Sequence, residues 1–139
     1  MTAHALHTLA HDGQSDAKSP RPSGGGRVRL HEILEEFYER YRRPILIAET
    51  GIEDEARPEW FRYVFEQAEI AKSAGVPIHG ICLYPIVNHP GWNDNRHCHN
   101  GLWDYPNSSG EREIYQPLVE EIRRVTIGDQ NRKSQSAAF

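Results

Sequence analysis

Apolar residues recur at helical spacing shortly after residue 27 and give the clearest structural signal in the chain. They occupy positions i, i+3, i+4, i+7, i+8 and i+11, namely Leu30, Ile33, Leu34, Phe37, Tyr38 and Tyr41. Pro44 follows, and proline ends a helix because it has no backbone N–H to donate. The pattern therefore predicts an amphipathic helix that stops just before Pro44.

A short apolar run begins directly after this proline. Ile45-Leu46-Ile47-Ala48 leads into Glu49, and Gly51 stands two positions later. An unbroken apolar run between a proline and a glycine predicts a strand buried in a parallel sheet. This strand would carry Glu49 to its C-terminal end, where α/β folds place their chemistry.

The same alternation continues downstream. A second helix is predicted over residues 58–74, followed by a strand over 78–84, an irregular stretch over 86–110 and a last helix over 111–125. Helices that alternate with short buried strands are typical of βα units around a parallel sheet. The fold class is therefore predicted to be α/β.

The chain divides into three regions by composition. Residues 1–27 are polar and include a Gly24-Gly25-Gly26 run, so they bury too little apolar surface to fold and form a predicted disordered tail. Residues 28–127 carry the helices and strands, and residues 128–139 are polar and form a predicted flexible C-terminus.

Charge and composition exclude several classes of partner. The formal net charge is −4, so no basic field attracts nucleic acid. No apolar run approaches the roughly 20 residues needed to cross a bilayer. We therefore expect no nucleic-acid or membrane partner, a cytoplasmic location, and free thiols at Cys82 and Cys98. No phosphate-binding glycine loop follows a strand, and no cofactor is expected.

The irregular stretch is rich in aromatic and hydrogen-bonding side chains. Sugars bind through their C–H faces to aromatic rings and through their hydroxyls to polar groups. The candidate carbohydrate-binding residues are Tyr84, Asn88, His89, Trp92 and Trp103. Trp92 is the preferred stacking platform, and the alternative is that Trp92 and Trp103 pack under the loop as a small hydrophobic cluster.

Metal binding is a second interpretation of the same stretch. The possible ligands are His89, Asp94, His97, Cys98 and His99, and His89, His97 and His99 are the favoured set. Their spacing is not that of a known zinc motif, so no metal site is expected in the leading interpretation.

The segment Arg43-Pro44-Ile45-Leu46-Ile47-Ala48-Glu49-Thr50-Gly51 resembles the seventh strand of clan-A glycoside hydrolases similar to β-glucosidases. Gly80-Ile81-Cys82-Leu83-Tyr84-Pro85 and the loop after it resemble the eighth. The resemblance implies that 28–127 is a partial (β/α)8 TIM barrel, made of the last two βα units and the preceding helix. It also implies that Glu49 is the nucleophile and that Tyr84 and Trp92 line the sugar site.

The same resemblance implies that one catalytic group is missing. The family's acid/base glutamate lies at the end of the fourth strand, and nothing in this sequence resembles that strand. The resulting hypothesis is a glycoside hydrolase fragment that binds carbohydrate, is inactive alone, and needs a complementary barrel chain or associates with itself. The alternatives are a non-catalytic carbohydrate-binding or regulatory module and a metal-binding protein that uses the His-rich loop.

Overall fold

The computed structural model describes the backbone of residues 28–136 and the side chains of residues 28–128. The predicted disordered tail, residues 1–27, lies outside the described residues, as do residues 137–139. The described residues form two compact units. The first contains 28–49 and Glu66–Cys82, and the second contains Thr50–Phe65 and the chain from Leu83 onward.

The elements follow the predicted order with one addition, a hairpin. Helix α1 is Leu30–Tyr41, strand β1 is Ile45–Thr50, a 3₁₀ turn is Asp54–Ala56 and helix α2 is Arg57–Ser73. Strand β2 is Ile78–Leu83, and the hairpin strands β3 and β4 are Trp103–Pro106 and Arg112–Ile114. Helix α3 is Gln116–Ser136. The α/β class is confirmed, and the described residues contain two two-stranded sheets but no closed barrel.

Helix α1 matches its sequence prediction closely. Its apolar face buries Leu30 and Leu34, each 4% exposed. The Glu32 carboxylate accepts a hydrogen bond from the Arg29 N–H at 2.8 Å and caps the first turn. A hydrogen bond of 2.7 Å joins His31 Nδ1 to Gln67 Oε1 of α2, so two side chains fix α1 against the second half of α2 within the first unit.

Strands β1 and β2 form one sheet and run in the same direction. The Ile45 N–H donates to the Pro77 carbonyl where both strands begin, and the Tyr84 N–H donates to the Thr50 carbonyl where both end, each at 2.9 Å. The sequence predicts burial of the whole apolar run in β1, and this is wrong for one face. Ile47 is 1% exposed, whereas Leu46 is 54% exposed.

The C-terminal third departs most from prediction. The sequence predicts that residues 111–114 begin the last helix, and this is wrong: Arg112–Ile114 pairs with Trp103–Pro106 as an antiparallel hairpin, and α3 starts at Gln116. The predicted irregular stretch 86–110 thus contains a strand. Helix α3 continues to Ser136, past the predicted end at Val125 and into the predicted flexible region.

None of the helices among residues 28–136 has the length and apolar character needed to span a membrane. Both cysteines are free, as predicted, with Cys82 exposed and Cys98 buried. Burial raises the pKa of the Cys98 thiol above its ordinary value.

A buried carboxylate joins α2 and α3 in the second unit. Glu121 is 5% exposed, and its oxygens accept hydrogen bonds from Arg62 Nη2 at 2.9 Å and from Arg124 Nη2 at 2.5 Å. The hydrogen bonds from Arg62 and Arg124 lower the pKa of Glu121 from 4.5 to about 2.

This shift predicts an acid-sensitive contribution to stability. A carboxyl with a lowered folded-state pKa stabilises the fold fully above its unfolded pKa, and the contribution is lost as pH falls through the folded value. We therefore expect the thermal unfolding midpoint to decrease as the pH is lowered from about 4.5 to about 2. Calorimetry at several pH values measures this, and Glu121→Gln should flatten the profile in that window. An unchanged slope in the variant would contradict the assignment.

Candidate functional site

Glu49, the predicted nucleophile, is the fifth residue of β1 and belongs to the first unit. Its side chain is half-buried. The structure thus confirms that the apolar run ends in a carboxylate at the C-terminal end of a strand, in a sheet whose strands are parallel.

The two residues after Glu49 are held tightly in the second unit. The Thr50 side-chain oxygen accepts a hydrogen bond from Trp60 Nε1 at 2.8 Å, and the Thr50 side chain is buried. A Cβ at Gly51 would collide with the carbonyl oxygen of Tyr84. Only glycine therefore allows the chain after β1 to approach the end of β2 this closely.

Three predicted site residues form an aromatic row in the second unit. The rings of Tyr84 and His89 lie 6.1 Å apart, and those of His89 and Trp92 lie 5.9 Å apart with edge-to-face geometry. Trp92 is 85% exposed, so it does not pack under the loop as a hydrophobic cluster. The row instead offers an accessible indole face beside an imidazole and a phenol.

Asn88 takes a different place. It is 4% exposed, its Oδ1 accepts a hydrogen bond from the Gly101 N–H at 2.6 Å, and its Nδ2 donates to Asp104 Oδ1 at 2.8 Å. The Asn88 N–H also donates to the Trp103 carbonyl at 2.8 Å. Asn88 therefore connects two segments of the loop. Trp103 is 37% exposed and contacts Asn88 through its backbone carbonyl.

Asp104 links this amide to a histidine. His99 Nδ1 lies 3.6 Å from Asp104 Oδ1, beyond hydrogen-bond distance but within reach of the carboxylate's charge. The Tyr105 N–H donates to Asp104 Oδ1 at 2.7 Å and, with other contacts, lowers the pKa of Asp104 below its ordinary value. Asp104 therefore stays ionised and keeps a negative charge beside His99.

His99 also lines a cleft of about 620 Å³ in the second unit. The other lining residues come from the 3₁₀ turn and its surroundings: Glu53, Asp54, Glu55, Ala56, Arg57 and Tyr115. Glu53 is paired with Arg96 at 2.7 Å. The cleft thus presents polar groups of both charges, a surface suited to a ligand rich in hydroxyls.

Arg57 is the main polar residue that sequence reasoning missed. It is 8% exposed, donates from Nη1 to the Gly101 carbonyl at 2.6 Å and from Nε to the Asp54 carbonyl at 2.7 Å, and stacks 3.6 Å from the Tyr115 ring centre. Its position in the first turn of a helix after an acidic loop gives no signal of burial. Only the folded loop shows that Arg57 supports Gly101.

The His-rich loop does not gather its candidate ligands. His97 stacks on Tyr105 with ring centres 4.6 Å apart, and His89 Nδ1 forms a 2.7 Å hydrogen bond with the Pro90 carbonyl. Among the side chains of residues 28–128, no group of three or more histidines, cysteines, aspartates or glutamates is placed to hold a metal ion. The metal-binding alternative therefore gains no support from these side chains.

The fold is similar to solved β-glycosidases, although no family model and no curated protein matches the chain. A β-glycosidase from Thermosphaera aggregans has a TM-score of 0.61 at 20% identity over 70% of this chain and 21% of its own. A family 1 β-glucosidase from Thermotoga maritima, in complex with isofagomine lactam, has a TM-score of 0.59 at 20% identity over 69% and 25%. Fpglu1 from Fervidobacterium pennivoraus has a TM-score of 0.61 at 20% identity over 70% and 22%.

These similarities define the class of fold. The chain has an α/β fold that resembles part of a glycosidase TIM barrel, and it spans about a quarter or less of the length of these three solved structures. At this level of identity the comparison shows the fold alone.

Proposed function

We propose that this chain is part of a β-glucosidase-like glycoside hydrolase and that it binds carbohydrate. The observation that carries the proposal is Glu49 at the C-terminal end of a parallel strand in a fold that resembles part of a β-glycosidase barrel. Active sites of TIM barrels lie at that end of the strands. The matched Thermotoga maritima enzyme was solved with deoxynojirimycin and with castanospermine, which supports a carbohydrate-like ligand.

In this proposal Glu49 is the nucleophile. Its carboxylate would attack the anomeric carbon and form a glycosyl ester, while a second carboxylic acid protonates the leaving oxygen. The second group would come from a strand that residues 28–136 do not provide. General acid help is worth about 10² to 10⁴ in rate, so the chain assayed by itself should hydrolyse ordinary glycosides very slowly.

Carbohydrate recognition is assigned to the aromatic row. The exposed indole of Trp92 would stack on the C–H face of a sugar, and His89 and Tyr84 would border it. Trp103 is exposed enough to contact a ligand. Asn88 would act by positioning, because its amide bonds Gly101 and Asp104.

Trp92→Ala is expected to weaken deoxynojirimycin binding about ten- to a hundred-fold without loss of stability. Burying an aromatic side chain is worth about 1.5–3 kcal/mol, and an exposed indole supports no core. Isothermal titration of the full chain measures the affinity. Asn93→Ala, an exposed neighbour, is the matched control and should bind as wild type. Equal affinity for Trp92→Ala and wild type would contradict the assignment of Trp92 as the residue that stacks on the sugar.

A non-catalytic carbohydrate-binding module is the second candidate, and the exposure of Trp92 favours it equally. The two candidates differ at Glu49. Under either candidate function, the purified chain should hydrolyse aryl β-glucosides at a barely detectable rate. Rapid turnover that disappears in Glu49→Gln would contradict the proposal that the chain is inactive alone. Reaction at Glu49 itself separates the two candidates.

A further inference from the structure

Trp92 lies on a small closed segment of the second unit. Pro90 and His97 form an isolated antiparallel bridge at the neck of this segment. Just inside the neck, the Gly91 N–H donates to the Arg96 carbonyl at 2.8 Å. We call the chain from Pro90 to His97 the Trp92 segment. Because the segment is closed on itself, it can move as one piece about its neck unless a contact beyond the neck holds it.

The side chain of Arg96 makes such a contact. Its Nη1 and Nη2 donate to the two carboxylate oxygens of Glu53 at 2.7 Å and 2.9 Å. Two parallel hydrogen bonds between a guanidinium and a carboxylate fix the orientation of the groups as well as their distance. Glu53 is followed by the 3₁₀ turn, where the Asp54 N–H donates to the His99 carbonyl at 2.8 Å. Arg96 therefore joins the Trp92 segment to a loop that is itself held by the backbone.

Trp92 depends on this support because it packs little of its own surface. The residue is 85% exposed, and its ring lies edge-to-face with that of His89 at a centre-to-centre distance of 5.9 Å. A mobile side chain loses conformational freedom when a ligand immobilises it, and that loss weakens binding. A segment that is held in place before the ligand arrives avoids part of this cost.

We propose that Arg96 is a positioning residue for carbohydrate recognition and that it acts through Trp92. Its ion pair with Glu53 holds the Trp92 segment in the orientation that presents the indole face to a sugar. This inference rests on the carbohydrate binding proposed above. The side chains of Arg96 and Glu53 are 55% and 33% exposed, so dissolved salt reaches the pair and weakens it.

The probe is isofagomine lactam, which one of the similar β-glucosidases binds. Its amide carries no charge, so an effect of Arg96 on its affinity is not a direct attraction between ions. Isothermal titration of the full chain should show that Arg96→Ala weakens binding roughly three- to tenfold. Arg96→Lys keeps the charge but not the planar fork, and it should recover part of the loss. Arg40→Ala breaks the exposed pair with Glu36 in the first unit and should bind as wild type.

Three further measurements separate positioning from a general structural role. When Trp92→Ala is already present, Arg96→Ala should weaken binding no further, because no indole remains to be positioned. Raising the salt from about 0.05 M to about 0.5 M should bring the wild-type affinity towards that of Arg96→Ala. Without ligand, nitrogen-15 relaxation should give amide order parameters near 0.85 in the wild-type Trp92 segment and below about 0.6 in Arg96→Ala.

Equal affinities of Arg96→Ala and wild type would overturn the inference, and so would an additional loss from Arg96→Ala when Trp92 is already replaced. Unchanged order parameters would also overturn it, since the ion pair would then not hold the Trp92 segment. Failure of the wild-type chain to bind the lactam is a different result. It would overturn the proposed carbohydrate binding and, with it, the role assigned to Arg96.

Discussion

Replacing Gly101 with alanine is expected to lower the free energy of unfolding by about 3 kcal/mol, because the added methyl group would overlap neighbouring atoms. A Cβ there would lie 2.5 Å from the Asn88 nitrogen and 2.5 Å from the Val87 carbonyl carbon. Both are backbone atoms, so no side chain can rotate away. The same shift would break the hydrogen bonds that Gly101 makes with Asn88 and Arg57.

Thermal unfolding followed by circular dichroism measures this loss, which corresponds to roughly 15 °C in Tm for a domain of this size. Gly128→Ala is the matched control, because nothing lies within 4 Å of a Cβ there and the residue is within α3. Alanine is the better helix former, so Gly128→Ala should stabilise slightly. Equal midpoints for the two variants would contradict the close packing around Gly101.

Replacing Glu121 with alanine is expected to cost about 2 kcal/mol, or roughly 10 °C in Tm. The side chain of Glu121 is 6% exposed and accepts charged hydrogen bonds from Arg62 and Arg124. Its removal leaves both guanidiniums without this acceptor. The two arginine side chains are 46% and 56% exposed and can reach water, which keeps the cost below that of a fully buried pair.

Glu120→Ala supplies the control, since Glu120 is the exposed neighbour on the same helix and should change stability by less than about 0.5 kcal/mol. Differential scanning calorimetry at pH 7 compares the two. If both variants melt together, the Arg62–Glu121–Arg124 cluster does not stabilise the second unit.

The parts of the fold that depend on local pattern follow from the sequence. Helix α1 has a regular apolar face, a capping glutamate and a following proline, and it was placed to within about two residues. The sequence predicts strand β1 because Pro44 and Gly51 stand on either side of one apolar run. In both cases the residues that decide the structure are neighbours in the chain.

The parts that depend on distant residues do not follow. The hairpin of β3 and β4 does not follow from the sequence because Trp103-Asp104-Tyr105-Pro106 is only four residues long and ends in proline, although Asn107-Ser108-Ser109-Gly110 gives a turn signal. Burial of Arg57 depends on the Gly101 carbonyl, 44 residues away along the chain. The bonds that hold Asn88 at Gly101 and Asp104 likewise exist only after the loop has closed.

The candidate site shows the same division. Its residue types were visible in the sequence, since aromatic rings and polar groups crowd residues 84–105. Their roles do not follow from the sequence, because the roles depend on exposure. Trp92 is exposed and can stack on a ligand, whereas Asn88 is buried and supports the loop. The position of the Glu49 carboxylate follows from its strand, because the apolar run that predicts β1 ends at this residue.

Mass spectrometry of the chain after incubation with 2,4-dinitrophenyl β-glucoside tests the central proposal most directly. Dinitrophenolate leaves with the bonding electron pair and needs no proton, so the reaction requires a nucleophile but no general acid. We predict one glucosyl ester on Glu49 and none in Glu49→Gln, and we expect the ester to hydrolyse slowly because the proposal assigns no general base to residues 28–136. No adduct on the wild-type chain, or an equal adduct in Glu49→Gln, would contradict the assignment of Glu49 as the nucleophile.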